Sequence, residues 1–388
     1  MPASTRQGIY KAPSIALEVL DIAALRPGEE SVPGVYLSAF AGGFDLGTGI
    51  DGAGYAARRQ SPPAMSVYVS RDNGTTFHFA ASVAQATQGR LLHIDGQVDS
   101  TFGAGKPWGL HREEGIGLAD GFDALSEMPI QWRHGFVPTT TTDAELQNGA
   151  NTVIVNGEVI QFKTVAAQNS QAIVQADRTA NGIYYHKTLI RGRRGSEDKI
   201  ASQTHGTVVY LDDAVTFYAI RPADLNRELI FRAVSAGGDI AAAENVTITP
   251  TGRNVLPFAP ANVRGVRDAS NNITISWDRR SRSEVRLFGT PAFPYGEDTD
   301  NYEVEILSVA EPRTVLRTIS VTGASSTTYT AANQTSDGLT PGAKMYLKVR
   351  QLSNIAGKGI QGQWSIPANA GGAGTPTPSA TLYGTRFD

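Results

Sequence analysis

Residues Asn151–Phe162 read NTVIVNGEVIQF, Tyr184–Ile190 read YYHKTLI, Arg191–Glu197 read RGRRGSE and His205–Asp212 read HGTVVYLD. Two apolar runs flank Asn156 and Gly157, which both tolerate the positive φ of a tight turn whose twist suits paired strands. The first segment therefore predicts a β-hairpin, with Glu158 one residue past its tip. The second is a strand that runs into three arginines, Arg191, Arg193 and Arg194, with Gly192 after the first and Gly195 after the last. The last is a further strand. This stretch sets the expected class, all-β, and reads as scaffold rather than as a catalytic motif.

The same alternation extends upstream. Gly34–Phe40 predicts a strand, and Ile15–Ala23 a strand or a helical turn. Met65–Ser70 and Thr76–Ser82 flank Arg71-Asp-Asn-Gly-Thr75, a second hairpin. Ser70, Asp72, Gly74 and Phe77 match the spacing of the Asp-box of propeller proteins. That box repeats once per blade; a single copy reads as a satisfied hairpin tip. Gly103–Lys106 lacks the first glycine and the Ser/Thr of a phosphate loop. Asp45 and Asp51 lie in a glycine-rich stretch without calcium-loop spacing. Pro138–Asp143 is a polar break.

Downstream, Val215–Ile220, Leu229–Val234 and Asn245–Thr249 predict strands. Leu256–Pro260 is a proline-marked linker. Beyond it, about seven short strands in ~100 residues give the pattern of a β-sandwich. They are Ala261–Arg267, Asn272–Asp278, Asn301–Leu307, Val315–Val321, Ser326–Thr330, Met345–Leu352 and Gln361–Ser365. Trp277 falls in phase with Ile273 and Ile275, so it belongs to the core. Met345 shares phase with Leu347 and Val349, which turns Tyr346 to the other face. The expected division is therefore an N-terminal β-rich unit with long loops (1–137) and a β unit carrying the arginine turn (138–255). A sandwich (256–369) and a flexible Gly/Pro/Thr-rich tail (370–388) follow.

Composition narrows function. The 388 residues carry 18% charged side chains and a net charge of −3, which gives no general attraction to nucleic acid or acidic membranes. There is no cysteine, so disulfides, thiolate metal sites and cysteine nucleophiles are out. Met1–Arg6 lead into no apolar run, so no secretory signal is expected. No run approaches the ~18 apolar residues of a membrane span.

Chemistry is sparse. The six histidines show no i, i+4 pair and no H-E-x-x-H. There is no G-x-S-x-G elbow. Glu113, Glu114, Glu127 and Glu158 offer carboxylates for glycoside cleavage, but no set of roles assembles from them. Glu158 reads as a solvated charge or as a partner for Arg191. The arginine cluster has three readings: a phosphate grip through forked donors, an internal salt-bridged turn pinning Glu197, Asp198 or neighbouring carboxylates, or a subunit interface. The adjacent Glu197 and Asp198 favour the second, and whether such a clamp is intrachain or intersubunit stays open. No enzyme activity, metal or cofactor is expected.

Asn148-Gly-Ala-Asn151, Gly157–Phe162, Leu189–Glu197 and His205–Asp212 together resemble the C-terminal region of tail-hub proteins of long-tailed bacteriophages and gene transfer agents. Pro260, Trp277, Tyr302–Ile306, Leu339–Gly342, Gly359 and Trp364 resemble a fibronectin type III domain. Residues 279–300 depart from that pattern as a long insertion. The resemblance spans about residues 30–370, and the ring-forming hub domains of that family have no counterpart. It implies a separately encoded structural part of a virion tail tip or baseplate. Such a part is assembled in the bacterial cytoplasm and forms a homo-oligomer, a trimer on the tail axis, with other tail proteins as partners. A second expectation is a glycan- or receptor-binding adhesin, with Tyr55, Trp108, Trp132 or the 279–300 insertion as candidate contacts. A third, with no residue support, is a glycan depolymerase.

Overall fold

The structure, a computed structural model, describes residues 15–26, 28–41, 64–92, 122–123, 126–133, 136–166, 182–200, 206–235, 238–282, 297–368, 381–383 and 385–386. The chain begins with β1 (Ile15–Leu20), β2 (Gly34–Ala41), β3 (Met65–Ser70), β4 (His78–Val83), β5 (Gln88–Leu91), β6 (Phe122–Asp123) and β7 (Met128–Trp132). Helix α1 (Asp143–Gln147) follows, then β8 (Thr152–Val155), β9 (Glu158–Ala166), β10 (Ile183–Ile190), β11 (Gly206–Tyr210), β12 (Thr216–Ala219), β13 (Leu229–Val234) and β14 (Val246–Ile248).

These strands build two units. Sheets β1-β2-β12 and β14-β13-β3-β4 face each other across Leu17, Val35, Leu37, Val67, Val69 and Phe231. Strand β3 shows why: Met65, Val67 and Val69 are buried while Ser66 and Tyr68 are half-buried, the period of a sheet with one face in the core. The second unit runs β10-β7-β5-β11-β8-β9, and β9 pairs back onto β10, so six strands close into a barrel. Two-residue β6 adds to β10 at Leu189 and Ile190. Closure leaves these strands without an open edge. Leu91, Ile130, Trp132, Val153, Val155, Phe162, Leu189 and Val208 fill the interior.

The Asn156-Gly157 hairpin forms as expected. Both residues have positive φ, 49° and 85°, and Val155 pairs with Glu158 across the tip. Strand β8 is buried on both faces, because Val153 and Val155 point into the barrel while Ile154 packs on Ile22, Leu25 and Tyr36 beneath the first unit. The Asp-box stretch is also a satisfied tip. Ser70 Oγ donates to Asp72 Oδ1 (2.7 Å), and Asp72 Oδ1 accepts from Thr76 N (2.9 Å). The hydroxyl and amide of Thr76 and the hydroxyl of Ser70 hold the Asp72 carboxyl well below the usual range.

The boundary expected at 137/138 does not divide the sheets. The barrel takes β5–β7 from before it, and the first sandwich takes β12–β14 from after the barrel. The barrel is thus an insertion between β4 and β12. Local patterning specifies a strand but not its partner, and these partners are more than a hundred residues apart. The polar break at Pro138–Asp143 is an α1 start: Thr142 and Glu145 form a reciprocal capping box.

The third unit comprises β15 (Ala261–Arg267), β16 (Ile273–Asp278), β17 (Asn301–Leu307), β18 (Val315–Thr322), β19 (Ser326–Tyr329), α2 (Ala331–Ser336), β20 (Met345–Ser353), β21 (Gly357–Lys358) and β22 (Gly362–Ile366). Its sheets run β19-β16-β15 and β18-β17-β20-β22, the strand order of a fibronectin type III sandwich. Trp277, 1% exposed, lies in the core 5.1 Å from the Tyr302 ring. Met345 is buried, and Tyr346 turns to the opposite face with Arg313 stacked 3.9 Å from its ring centre. Two further strands, β23 (Thr381–Tyr383) and β24 (Thr385–Arg386), extend these sheets by pairing with β15 and β22. These two short strands fall within the stretch 370–388 expected as a flexible tail. Most of the tail before them, 369–380, lies outside the described residues, as does 283–296 of the insertion.

Candidate functional site

The arginine turn sits where all three units meet. Strand β10 ends at Ile190, and the next residues turn sharply: Gly192, Arg194 and Gly195 all take left-handed φ, 61°, 52° and 76°. Gly192 and Gly195 are needed for space as well as for φ. A Cβ on Gly192 would lie 2.9 Å from the Glu197 Cα, and one on Gly195 would lie 2.5 Å from the Phe258 ring.

Each charged side chain of the turn has its own intrachain task. Arg191 grips Glu158 through both fork positions, Nε to Oε1 at 2.5 Å and a terminal nitrogen to Oε2 at 2.8 Å. Their side chains are 2% and 0% exposed. The Gly192 amide adds a third donor to Glu158 at 3.2 Å. A buried carboxylate with this donor set is compensated, and the geometry is the bidentate one that only arginine supplies. Of the two readings of Glu158, partner to Arg191 is the observed one; the solvated charge is not.

Arg193 Nε donates to Gln161 Oε1 at 2.6 Å, and the Gln161 amide donates to the Leu146 and Ala150 carbonyls. Burial, with Arg194 and Arg280 nearby, pushes the Arg193 guanidinium down to about 10, still charged at neutral pH. Arg194 donates to the Ala24 carbonyl at 3.2 Å, between β1 and β2. Burial lowers it too. Ser196 Oγ donates to the Arg193 carbonyl and accepts from Val159 N, tying the turn to β9.

The acidic residues face the other way. Glu197 is ion-paired with Arg280, whose guanidinium also donates to the Ala259 carbonyl (3.2 Å) and lies over the Phe258 ring at 5.1 Å. Asp198 is ion-paired with Arg253, one contact being 3.0 Å, and Arg253 also donates to the Gly195 carbonyl at 2.9 Å. The Arg253 amide donates to Asp21, and Asn254 donates to the Glu29 and Val32 carbonyls while accepting from Gly34 N. Arg282 pairs with Glu297 at 3.0 Å and donates to the Val255 carbonyl. Ala23, Phe258, Ala259 and Ile360 form the apolar seam beneath. The turn therefore belongs to the barrel, its acids hold the linker and the third unit, and its arginines hold the barrel and the first unit.

Sequence reasoning found Arg191, Arg193, Arg194, Glu197 and Glu158 and missed Arg253, Arg280 and Phe258, all far away in the chain, and Gln161, which lies in the quoted hairpin but carries no charge to mark it as a partner. Asn156 and Gly157 form the hairpin tip beside the turn; Trp277 stands apart, in the third unit's core. Trp132, a candidate glycan contact, is buried in the barrel, where its Nε1 donates to His186 Nε2 at 3.2 Å. His186 Nδ1 in turn lies 3.0 Å from the Met128 carbonyl, so the ring is the neutral Nδ1–H tautomer. Burial depresses it to about 4. His78 is exposed in its strand. Tyr55, Trp108, His93, His111, His134, His205, Asp45, Asp51, Glu113, Glu114 and Gly103–Lys106 lie outside the described residues. Among the described residues no group of His, Asp and Glu is arranged to hold a metal, and no helix is long and apolar enough to cross a membrane.

No family model matches the chain, and no curated protein matches it. Among solved structures, the FN1–FN3 domains of chicken CNTN1 align at 11% identity and TM-score 0.21, over 92% of this chain and 98% of that one. Domains A168–A170 from titin align at 12% identity and TM-score 0.19, over 90% and 96%. At such scores these likenesses carry no argument. The class, an all-β multi-unit chain ending in a fibronectin-like sandwich, rests on the strand order itself.

Proposed function

We propose that this chain is a structural component of the tail tip of a bacteriophage or phage-like particle, whose work is assembly rather than catalysis. The observation that carries this reading is the use of the arginine turn. The motif that resembles tail-hub proteins spends its charges on Glu158, Gln161, Arg253, Arg280 and backbone carbonyls of the same chain. A charge cluster used in this way fixes three β units in one orientation, which suits a part that transmits position in a large assembly. It leaves little for a phosphate grip. On this reading the protein forms a homo-oligomer, a trimer on the tail axis, and binds other tail proteins.

Light scattering on the purified protein, alone and mixed with the tail proteins of the same particle, tests this directly. The expected result is a defined oligomer, or a stable complex with at least one tail protein. A monomer that stays monomeric in every mixture overturns the reading.

A further inference from the structure

Four arginines are buried among the described residues, and three of them face a carboxylate: Arg191 meets Glu158, Arg253 meets Asp198 and Arg282 meets Glu297. The fourth, Arg267, does not. It is 4% exposed and ends β15 in phase with the buried Val263 and Gly265, so its side chain runs between the two sheets of the third unit. One donor is used: a terminal nitrogen, Nη2, reaches the Ala343 carbonyl at 2.8 Å. Nε and Nη1 are buried and have no hydrogen-bond partner.

Its sequence neighbour cannot offset the charge. The Asp268 carboxylate accepts from the Ser270 and Asn272 amides at 2.8 and 2.9 Å and from the Asn272 side chain at 2.7 Å. Burial lowers the pKa of the Arg267 guanidinium, and no neighbouring charge raises it again. An arginine does not escape by giving up its proton. Buried charges in stable folds are paired, because an unpaired one loses its hydration and gains nothing in exchange. The two open donors therefore call for a negatively charged acceptor. The surroundings narrow its kind. Ile273, across the β15–β16 ladder from Arg267, is fully buried, and Ala343 sits in a turn closed by its own amide on the Thr340 carbonyl at 3.0 Å. Lys344, next along, is exposed and lies against the Tyr346 ring, so the turn carries a second cation. Planar N–H donors match the two oxygens of a carboxylate. Close apolar walls favour a small one.

We propose that Arg267 and the 340–344 turn bind a small carboxylate, supplied as a free ion or as the side chain of an Asp or Glu. The guanidinium holds it through Nε and Nη1, and the Ala343 carbonyl fixes the guanidinium in place. The site lies at the end of β15 remote from the linker: Ala261 starts the strand and Arg267 closes it, about 20 Å further on. It is therefore at the opposite end of the sandwich from the arginine turn and its junction.

Thermal melts of the full chain and of Arg267→Met test this, each titrated from a low-salt buffer with sodium formate and, separately, with a capped Gly-Asp-Gly peptide. A capped Gly-Asn-Gly peptide is the control for the second probe. In the native chain Tm should rise with saturation, by about 3 °C at about ten times the half-saturating concentration. Arg267→Met should keep only the general effect of salt. A saturable response to formate alone marks a site for a free ion; a response to the Asp peptide and not to the Asn peptide marks one that a protein side chain can enter. Responses that are absent, or parallel in the two proteins for both probes, overturn the site. Should Arg267→Met not fold, Arg267→Lys keeps the charge without the planar fork and should need a higher concentration for half-saturation; an unchanged value overturns the assignment to Arg267.

Discussion

The buried Arg191–Glu158 pair shows at the residue scale how the turn is held. Neither side chain reaches water, so each depends on the other. Arg191→Ala leaves Glu158 buried without its two guanidinium donors and costs about 3–5 kcal/mol. The joint change Arg191→Met with Glu158→Leu removes both charges and costs less than that single change. Urea unfolding of the three proteins measures this; equal losses in the single and joint variants would sink the account.

His186 belongs to the same scale. Its folded value is depressed to about 4, against about 6.5 in an unfolded chain. Between these values the unfolded state takes up a proton that the folded state refuses, so protonation favours unfolding. The contribution is fully present above about pH 6.5 and is lost as pH falls toward 4, by up to about 3 kcal/mol. Denaturant midpoints at pH 7.5, 5.5 and 4.5 should fall in the native chain. His186→Gln, less stable at pH 7.5 because it disturbs the Trp132 hydrogen bond, should show a shallower fall. An unchanged slope would assign the acid sensitivity elsewhere.

At the scale of elements, the turn after β10 depends on two glycines for separate reasons. Gly192→Ala meets the Glu197 backbone and Gly195→Ala meets the Phe258 ring, each at a left-handed φ. Each should cost about 2–4 kcal/mol, since the left-handed conformation alone accounts for about 1–2 kcal/mol and the clash adds to it. Gly323→Ala is the control: its φ is +65° but nothing lies within 4 Å, so about 1 kcal/mol is expected. Thermal melts that rank Gly323→Ala with the other two would refute the steric part.

For the whole molecule, the junction fixes how the third unit sits on the barrel. Arg280 and Arg253 take the two acids of the turn, and Phe258 lies against Gly195. Arg280→Ala with Arg253→Ala should leave each unit folded while loosening their arrangement. Small-angle scattering should then show a larger radius of gyration, and limited proteolysis should open the 256–260 linker. An unchanged profile in both would show that the apolar seam alone sets the orientation.

Much of this architecture was legible locally. Alternation in Met65–Ser70, the positive-φ tolerance of Asn156 and Gly157, and the phase of Trp277 and Met345 each specify an element or a face through short-range geometry. The arginine turn stood out for its glycines and for the acids beside it, and its salt-bridged character followed from charge balance. Pairing is different. That β12–β14 return past the barrel to join β1–β4, and that β10 takes β7 as well as β9 and so closes the barrel, depends on contacts between distant residues with no local signature. The same holds for the partners of Glu197 and Asp198: arginines are common in the chain, and only packing brings Arg280 and Arg253 within reach. It holds too for residues 381–386, whose low-complexity approach conceals a strand that forms because two sheet edges lie open beside it. The sequence by itself determined the β class, the turns and the inward faces, because these depend on backbone conformation and side-chain period. The tertiary structure decided which strands pair, that the arginine clamp is intrachain, and which sheet edges β23 and β24 join, because each is set by the free energy of closing distant surfaces together.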